Sequence, residues 1–136
     1  MYSENPADLS TLDYPAFLAA YRAIVAASIE RLMPDRFACV VVGDIRDRHG
    51  IYRGFVSDTI VAFRDAGVAL YNDAVLVTAV GSLPLRVGRQ FSAARKLGKT
   101  HQNVLVFVKG DPKAATEACG PVEVALPDEA TAALGG

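Results

Sequence analysis

The pattern of hydrophobic and polar positions predicts two amphipathic helices. In the first, apolar residues recur at steps of three and four: Phe17, Leu18, Tyr21, Ile24, Val25, Ile29 and Leu32. Asp13 is placed to cap this helix, and Pro15 lies in its first turn, where a missing N–H is tolerated. The second helix has the same spacing in Phe55, Val56, Thr59, Ile60 and Phe63. Gly67 is expected to end it at the C′ position.

Three apolar runs predict strands. Phe37–Val42 is continuous and rich in β-branched residues, which is typical of a strand that helices cover on both faces. Cys39 within it is therefore expected to be buried. We place the second strand at Ala74–Thr78, leave Val68–Tyr71 unassigned, and place the third strand at Asn103–Val108. Strand, loop, helix and strand in this order form a crossover unit, so the fold class is α/β.

The segment Gly81–Gln102 between the last two strands is long for a structureless loop in a compact domain. Its middle, Gln90–Leu97, is a candidate short helix. The chain divides into a lead-in (1–12), an α/β domain (13–110) and an Ala-rich extension (111–136), in which Pro121–Leu126 is a candidate weak strand.

Length and composition favour one globular domain. The chain has 136 residues, of which about half are hydrophobic and about a fifth charged, and this argues against disorder. No apolar run approaches the ~20 residues of a membrane span. The two cysteines form no CxxC motif and the N-terminus has no signal-peptide pattern, so we expect a reducing, cytoplasmic setting. The two histidines lie apart without paired ligands, and no metal site is predicted.

Charge changes this picture because it is concentrated in one segment. Residues 74–110 sum to +6 and contain no acid, whereas the whole chain has a net charge of −1. The long connection holds the candidate anion ligands Arg86, Arg89, Arg95, Lys96, Lys99 and His101. Nucleic acid, a small phosphate compound and a plain solvated surface all remain open as interpretations.

Other candidate chemistry is sparse. Asp44 and Arg46 follow the first strand at its carboxyl end, where open α/β sheets bind ligands, although the start of a solvated loop explains them equally well. For His101, a hydrogen-bonded structural role is favoured over acid–base catalysis. The sequence has no Ser/His/Asp order, carboxylate pair, phosphate-binding loop or dinucleotide fingerprint. No residues therefore support a hydrolase, kinase or dehydrogenase activity.

Three blocks of sequence resemble the later half of DNA amino-methyltransferases, which methylate adenine N6 or cytosine N4 with S-adenosylmethionine. They are VVVGDIRDRHGIYRG, LYNDAVLVTAVGSLPLRVGRQF and RKLGKTHQNVLVFVKGDP. The last block is the most specific, and the resemblance extends over about residues 2–124. Phage and actinobacterial members show it most clearly.

The resemblance implies a truncated Rossmann-like half-domain: a mixed sheet of about three strands, the fifth, seventh and sixth of the family order, with two flanking helices. Asn103–Val108 should then pair with both Phe37–Val42 and Ala74–Thr78. Asp44 and Arg46 would lie at the rim of the target-base pocket, and Arg86 with the cations Arg89 to Lys99 on the side that faces DNA. The sequence lacks the family's Asp-Pro-Pro-Tyr motif and its Phe-x-Gly-x-Gly cofactor loop. No catalytic residue transfers, and S-adenosylmethionine is expected only with a complementary half.

Three functional hypotheses follow. The chain is a methyltransferase subunit that needs a separate catalytic half, a non-catalytic DNA-binding or regulatory module, or a repurposed structural scaffold. Without a first half, the Phe37–Val42 strand would be an exposed apolar edge, which invites pairing with another chain. We therefore expect a homo-oligomer, or a complex with a separate methyltransferase half.

Overall fold

A computed structural model describes residues 8–79, 81 and 83–122, and within 83–86 only the backbone. After a 3₁₀ turn at Leu9–Thr11, the elements in chain order are α1 (Tyr14–Arg31), β1 (Arg36–Val42), α2 (Phe55–Asp65), β2 (Ala69–Val77), α3 (Leu83–Ala94), β3 (His101–Lys109) and α4 (Pro112–Cys119). Within these residues no helix is both long and apolar enough to cross a bilayer.

Both ends of α1 are satisfied by charged side chains. Asp13 accepts a hydrogen bond from the Ala16 N–H at 2.9 Å, as its capping role predicts. At the other end, Lys109 Nζ donates to the carbonyls of Ile29 at 2.7 Å and Leu32 at 2.6 Å. The last carbonyls of a helix have no partner inside it, and a cation there also favours the helix dipole. Lys109 thus ties the end of β3 to the end of α1.

The sheet has the order β1-β3-β2, with β3 antiparallel to both neighbours. Cys39 lies opposite Val106 in one ladder, and Ala74 lies opposite Val104 in the other. The predicted insertion of the third strand between the first two is confirmed. Both ladders are antiparallel, so the expectation of a mixed sheet is wrong: the three described strands form an antiparallel sheet, because β3 runs against both neighbours.

The second strand is longer than predicted. It runs from Ala69 to Val77, through the polar pair Asn72-Asp73 at which the sequence suggested a break. A register shift between Leu70 and Asn72 accommodates the extra residue, Tyr71, in the way of a β-bulge. Asp73 accepts a hydrogen bond from Asn103 Nδ2 on β3 at 3.1 Å. The polar pair therefore lies within the ladder.

The main core lies between one sheet face and the helices α1 and α2. Leu105 and Phe107 of β3 have no exposed surface, and the Phe107 ring stacks on Phe63 of α2 with centroids 4.2 Å apart. Val25 and Ile29 of α1 pack into the same cluster. Burial of each such side chain contributes about 1.5–3 kcal/mol. The two predicted helices thus cover this face, and Gly67, with φ at 91°, follows α2 as expected.

The opposite face is largely uncovered, and the prediction that Cys39 is buried is wrong. Cys39 and Val41 of β1 are exposed, and Val41 retains 51% of its surface. Their cross-strand partners Val106 and Val104 are only partly buried. We call these four residues, with Ala74, the open sheet face. A continuous apolar run predicts a strand covered on both sides, but within the described residues a covering layer is present only where α4 meets β1 and β3.

Two further helices differ from the sequence predictions. α3 spans Leu83–Ala94 rather than Gln90–Leu97, and the positive φ of Arg95, 53°, ends it. α4 begins at an N-cap, Asp111, whose carboxylate accepts from the Ala114 N–H at 2.8 Å. No helix was predicted there. Of the candidate strand Pro121–Leu126, the first two residues are not in a strand and the others lie outside the described residues.

Candidate functional site

A cleft of about 730 Å³ lies between two segments that are far apart in the sequence. One wall is the loop after β1, residues 44–53, and the other is the segment from the end of α3 to the start of β3, residues 94–101. The lining residues are Asp44, Arg46, His49, Gly50, Ile51, Tyr52, Ala94, Arg95, Lys96, Leu97, Gly98, Lys99 and His101. We call this cavity the basic cleft.

The 44–53 loop folds back on itself as a small hairpin. Arg46 and Tyr52 form an antiparallel bridge, and the Asp47 N–H donates to the Ile51 carbonyl at 2.8 Å. The Asp47 carboxylate accepts from the N–H groups of Ile51 and His49, each at 2.9 Å. These hydrogen bonds, the Ile51 bond foremost, lower the pKa of Asp47. Gly50 completes the turn with φ at 83°. Hydrogen bonds between residues of the loop thus stabilise the hairpin.

A stacked pair forms the inner surface of this hairpin. The Arg46 guanidinium carbon lies 3.7 Å from the centroid of the Tyr52 ring, a cation–π contact. Arg46 Nη1 also donates to the Gly50 carbonyl at 2.7 Å, which orients the guanidinium. Both side chains line the basic cleft and are exposed. The hairpin therefore presents a planar, charged and aromatic surface to the cavity.

Asp44, predicted at the rim of a base pocket, does line the cleft, but its carboxylate has structural partners. Its Oδ1 accepts from the N–H groups of Gly54 and Phe55, each at 3.0 Å, and from Ile45 at 2.9 Å. Gly54 and Phe55 begin α2, where the backbone N–H groups have no partner within the helix. Asp44 therefore closes the base of the hairpin and caps α2.

The 94–101 wall contacts the hairpin through Lys96. Its side chain lies against Gly50, so closely that a Cβ there would stand 2.8 Å from Lys96 Cε. Arg95 turns away instead: its guanidinium donates to the carbonyls of Phe91 and Ser92, at 3.0 and 3.2 Å, at the end of α3. The segment then joins the sheet, since the Thr78 N–H donates to the Thr100 carbonyl at 2.8 Å.

The cleft is strongly cationic. Four of its lining side chains, Arg46, Arg95, Lys96 and Lys99, are positive, and one, Asp44, is negative. Within the part of the chain that the structure describes, none of these cations forms a salt bridge, and the ion pair found there joins Arg22 to Asp65 instead. Uncompensated like charges converging on a concave surface raise the local concentration of anions.

The structure thus places six of the predicted site residues together, from two separate predictions: Asp44 and Arg46 on one wall, and Arg95, Lys96, Lys99 and His101 on the other. Arg86 and Arg89, the other two cations predicted to face DNA, lie on α3. Arg89 is exposed but does not line this cleft, and the side chain of Arg86 lies outside the described residues.

Sequence reasoning missed His49 and Tyr52 as lining residues. A signal for the hairpin is present, since Asp47 and Gly50 occupy the first and last positions that a type I turn prefers. No such signal points to Tyr52, because its stacking on Arg46 depends on the bridge that the turn produces.

Another cavity, of about 280 Å³, lies where the 3₁₀ turn and α1 meet Ile45 and Arg53 of the 44–53 loop. Tyr14 there donates to the Asp58 carboxylate at 2.5 Å, and Arg53 lies 4.5 Å over its ring. Burial first, and then the Asp58 hydrogen bond, raise the pKa of Tyr14. The phenol is thus held neutral as a hydrogen-bond donor, which fits a structural link between α1 and α2.

Comparison with known proteins finds likeness in structure only. No protein-family model matches the chain, and no curated protein sequence matches it significantly. Two solved structures of TTHA0409 from Thermus thermophilus, named as a putative DNA modification methylase, do match. One, a selenomethionine derivative, has 17% sequence identity and a TM-score of 0.58 over 88% of this chain. The other, complexed with S-adenosyl-L-methionine, has 19% identity and a TM-score of 0.58 over 97%.

These matches cover 48% and 54% of the TTHA0409 chain, so this chain spans about half the length of that protein. At such low identity the likeness shows the fold alone. The β1-β3-β2 sheet with its helices is therefore a partial Rossmann-like domain, with the architecture of about half of a methylase-like structure.

Proposed function

We propose that this chain is the non-catalytic part of a DNA amino-methyltransferase, and that its basic cleft holds DNA beside a catalytic half. The observation that carries the proposal is the convergence of Arg46, Lys96 and Lys99 on one cavity, where none of them forms a salt bridge with another described residue. The methylase-like fold supports DNA, rather than another polyanion, as the ligand. Such a role also accords with the expected cytoplasmic setting.

The Lys and Arg side chains of the basic cleft are suited to phosphate oxygens. Lys and Arg supply most contacts to the DNA backbone, and these contacts position a protein on DNA without reading its sequence. Lys96 lies against Gly50, whose carbonyl accepts from Arg46, and Lys99 lines the same cavity, so a strand that enters it meets cations from both segments. Arg95 contributes charge, although its donors are directed at the carbonyls that end α3.

The residues of the basic cleft do not fit the methyl donor. S-adenosylmethionine carries a net positive charge at neutral pH, and a cleft lined by four cations and one carboxylate repels it. The sequence also lacks the glycine loop that the resemblance would require. We therefore assign both the donor and the reacting groups to the complementary half.

Equilibrium binding to a labelled DNA tests the proposal. Replacing Lys96 and Lys99 together by alanine should weaken binding roughly 10–1000-fold. It should also reduce the slope of log K against log salt by about 0.9 for each phosphate that the protein no longer neutralises. The matched control replaces Arg31 and Lys113, which are exposed and lie outside the cleft, and removes the same charge. Binding that ignores salt, or that both pairs weaken equally, would reject a specific role for the cleft.

A docking role for the open sheet face is supported by its exposure. Apolar sheet faces of this kind are normally covered, and an uncovered one marks an interface. Since the chain spans about half of the methylase it matches, we propose the other half of the methyltransferase fold as the occupant.

In the absence of that half, the isolated chain should self-associate through the same surface. Sedimentation velocity at micromolar concentration should show an oligomer that Val41→Glu dissociates. Val61→Glu is the control, because Val61 has a similar exposure of 42% on α2. A folded, monodisperse wild-type monomer would contradict the docking role.

A further inference from the structure

Resting on the proposed role of the basic cleft, we infer that the cleft accepts a single strand of nucleic acid in preference to a duplex, with a base stacked on the Arg46–Tyr52 pair. The inference adds the form of the ligand and a stacking residue to a site otherwise defined by charge. It depends on the shape of the cleft and on the chemistry of its hairpin wall.

Shape comes first. Proteins that read duplex DNA commonly insert a helix or a two-stranded ribbon into the major groove, which is about 12 Å wide. In this structure the cations line a cavity of about 730 Å³ instead of a projecting element. That volume lies in the range of ~300–1000 Å³ typical of sites that enclose a small molecule. A few unpaired nucleotides fit a cavity of that volume.

The wall chemistry points the same way. Sites for single strands combine cations that follow the backbone with aromatic rings on which bases stack. Tyr52, a residue with 43% of its surface exposed, supplies a ring, and Arg46 lies over that ring at 3.7 Å. Guanidinium planes also stack on unpaired bases. In a duplex the base faces are occupied by their neighbours, so this surface is useful only to an unstacked base.

The two walls of the cleft suit different parts of a nucleotide. Lys96 and Lys99 come from the 94–101 wall and suit phosphate groups, since an ammonium acts as a point charge with rotatable donors. Leu97, which is 73% exposed between them, and Ile51, which is 65% exposed on the hairpin, add apolar surface for sugar and base. Apolar side chains exposed within a cationic cavity are poorly suited to a purely phosphate-binding surface.

Fluorescence anisotropy of a short labelled oligonucleotide, alone and annealed to its complement, tests the inference on the whole chain. We expect the single strand to bind about 10-fold more tightly than the duplex. Tyr52→Leu should weaken single-strand binding about 5- to 150-fold, the range for loss of one stacked base, and should leave duplex binding unchanged. Tyr52→Phe should bind like the wild type, because it keeps the ring.

Tyr71→Leu is the matched control, since Tyr71 is 47% exposed but contacts Phe37 on the sheet, away from the cleft. Circular dichroism confirms that each variant folds. Equal binding of strand and duplex, with both dependent on Lys96 and Lys99, would overturn the inference and leave the proposed DNA contact intact. Binding of neither form would overturn both. Loss of binding in Tyr52→Phe, or an equal loss in Tyr71→Leu, would also reject a stacking role for the Tyr52 ring.

Discussion

Lys96 lies against the backbone of Gly50, and this contact joins the two walls of the basic cleft. A Cβ at position 50 would stand 2.8 Å from Lys96 Cε, and the φ of Gly50, 83°, belongs to the region that side chains rarely adopt. The two walls of the cleft therefore meet where the Lys96 side chain lies against Gly50.

We expect Gly50→Ala to displace Lys96 and to weaken DNA binding several-fold, together with a loss of stability of about 1 kcal/mol from the left-handed backbone. Gly67→Ala is the control: Gly67 has a similar φ, 91°, but no atom lies within 4 Å of its added Cβ. The control should lose comparable stability while its DNA affinity stays unchanged. Equal effects of both substitutions on affinity would show that Lys96 does not depend on Gly50.

Asp44 offers a second prediction, because its Oδ1 holds the N–H groups at the start of α2. Asp44→Ala should cost about 1–2 kcal/mol of unfolding free energy, the usual effect of losing a cap. Asp44→Asn retains an acceptor oxygen and should recover most of that loss. Urea denaturation of the two variants measures the difference. If the asparagine variant were as unstable as the alanine variant, the negative charge rather than the capping hydrogen bonds would be what matters.

The hairpin should respond to acid through Asp47. Hydrogen bonds from Ile51 and His49 lower the pKa of Asp47 in the folded chain. A lowered pKa stabilises the hairpin above the unfolded value, which is about 3.9 for aspartate. The stabilisation is lost as the pH falls below that value and through the folded pKa.

Amide shifts of His49 and Ile51, followed by NMR during an acid titration, should therefore change together below about pH 4, which lies near the pKa of a free aspartate. Asp47→Asn should remove this transition. Amide shifts that stay constant down to pH 2 would show that the carboxylate does not hold the turn.

Local sequence signals predicted much of the fold. The Asp13 cap, the Gly67 stop and the spacing of apolar residues placed α1 and α2, since these depend on near neighbours in the chain. The strand order followed from the resemblance to methyltransferases, and it is confirmed. The helix α4 was missed, although Asp111 followed by Pro112 is a helix-start pattern.

The wrong or incomplete predictions concern contacts between residues that lie far apart in the sequence. The apolar run around Cys39 is suited to a strand covered on two faces, and sequence pattern cannot tell that, among the described residues, only α4 covers part of the second face. Similarly, charge patterning found Lys96 and Arg46 separately, but their meeting depends on the hairpin and on how α3 ends at Arg95. Long-range contacts of this kind leave no local signal.

The most direct measurement of the central claim is the mapping of DNA contacts by amide chemical shifts in the ¹⁵N-labelled chain. Titration with a short oligonucleotide should shift the amides of both walls together, residues 44–53 and 94–101, and should leave those of β1 on the open sheet face unchanged. Shifts confined to the open sheet face, or to α3 without the hairpin, would contradict a nucleic-acid site in the basic cleft.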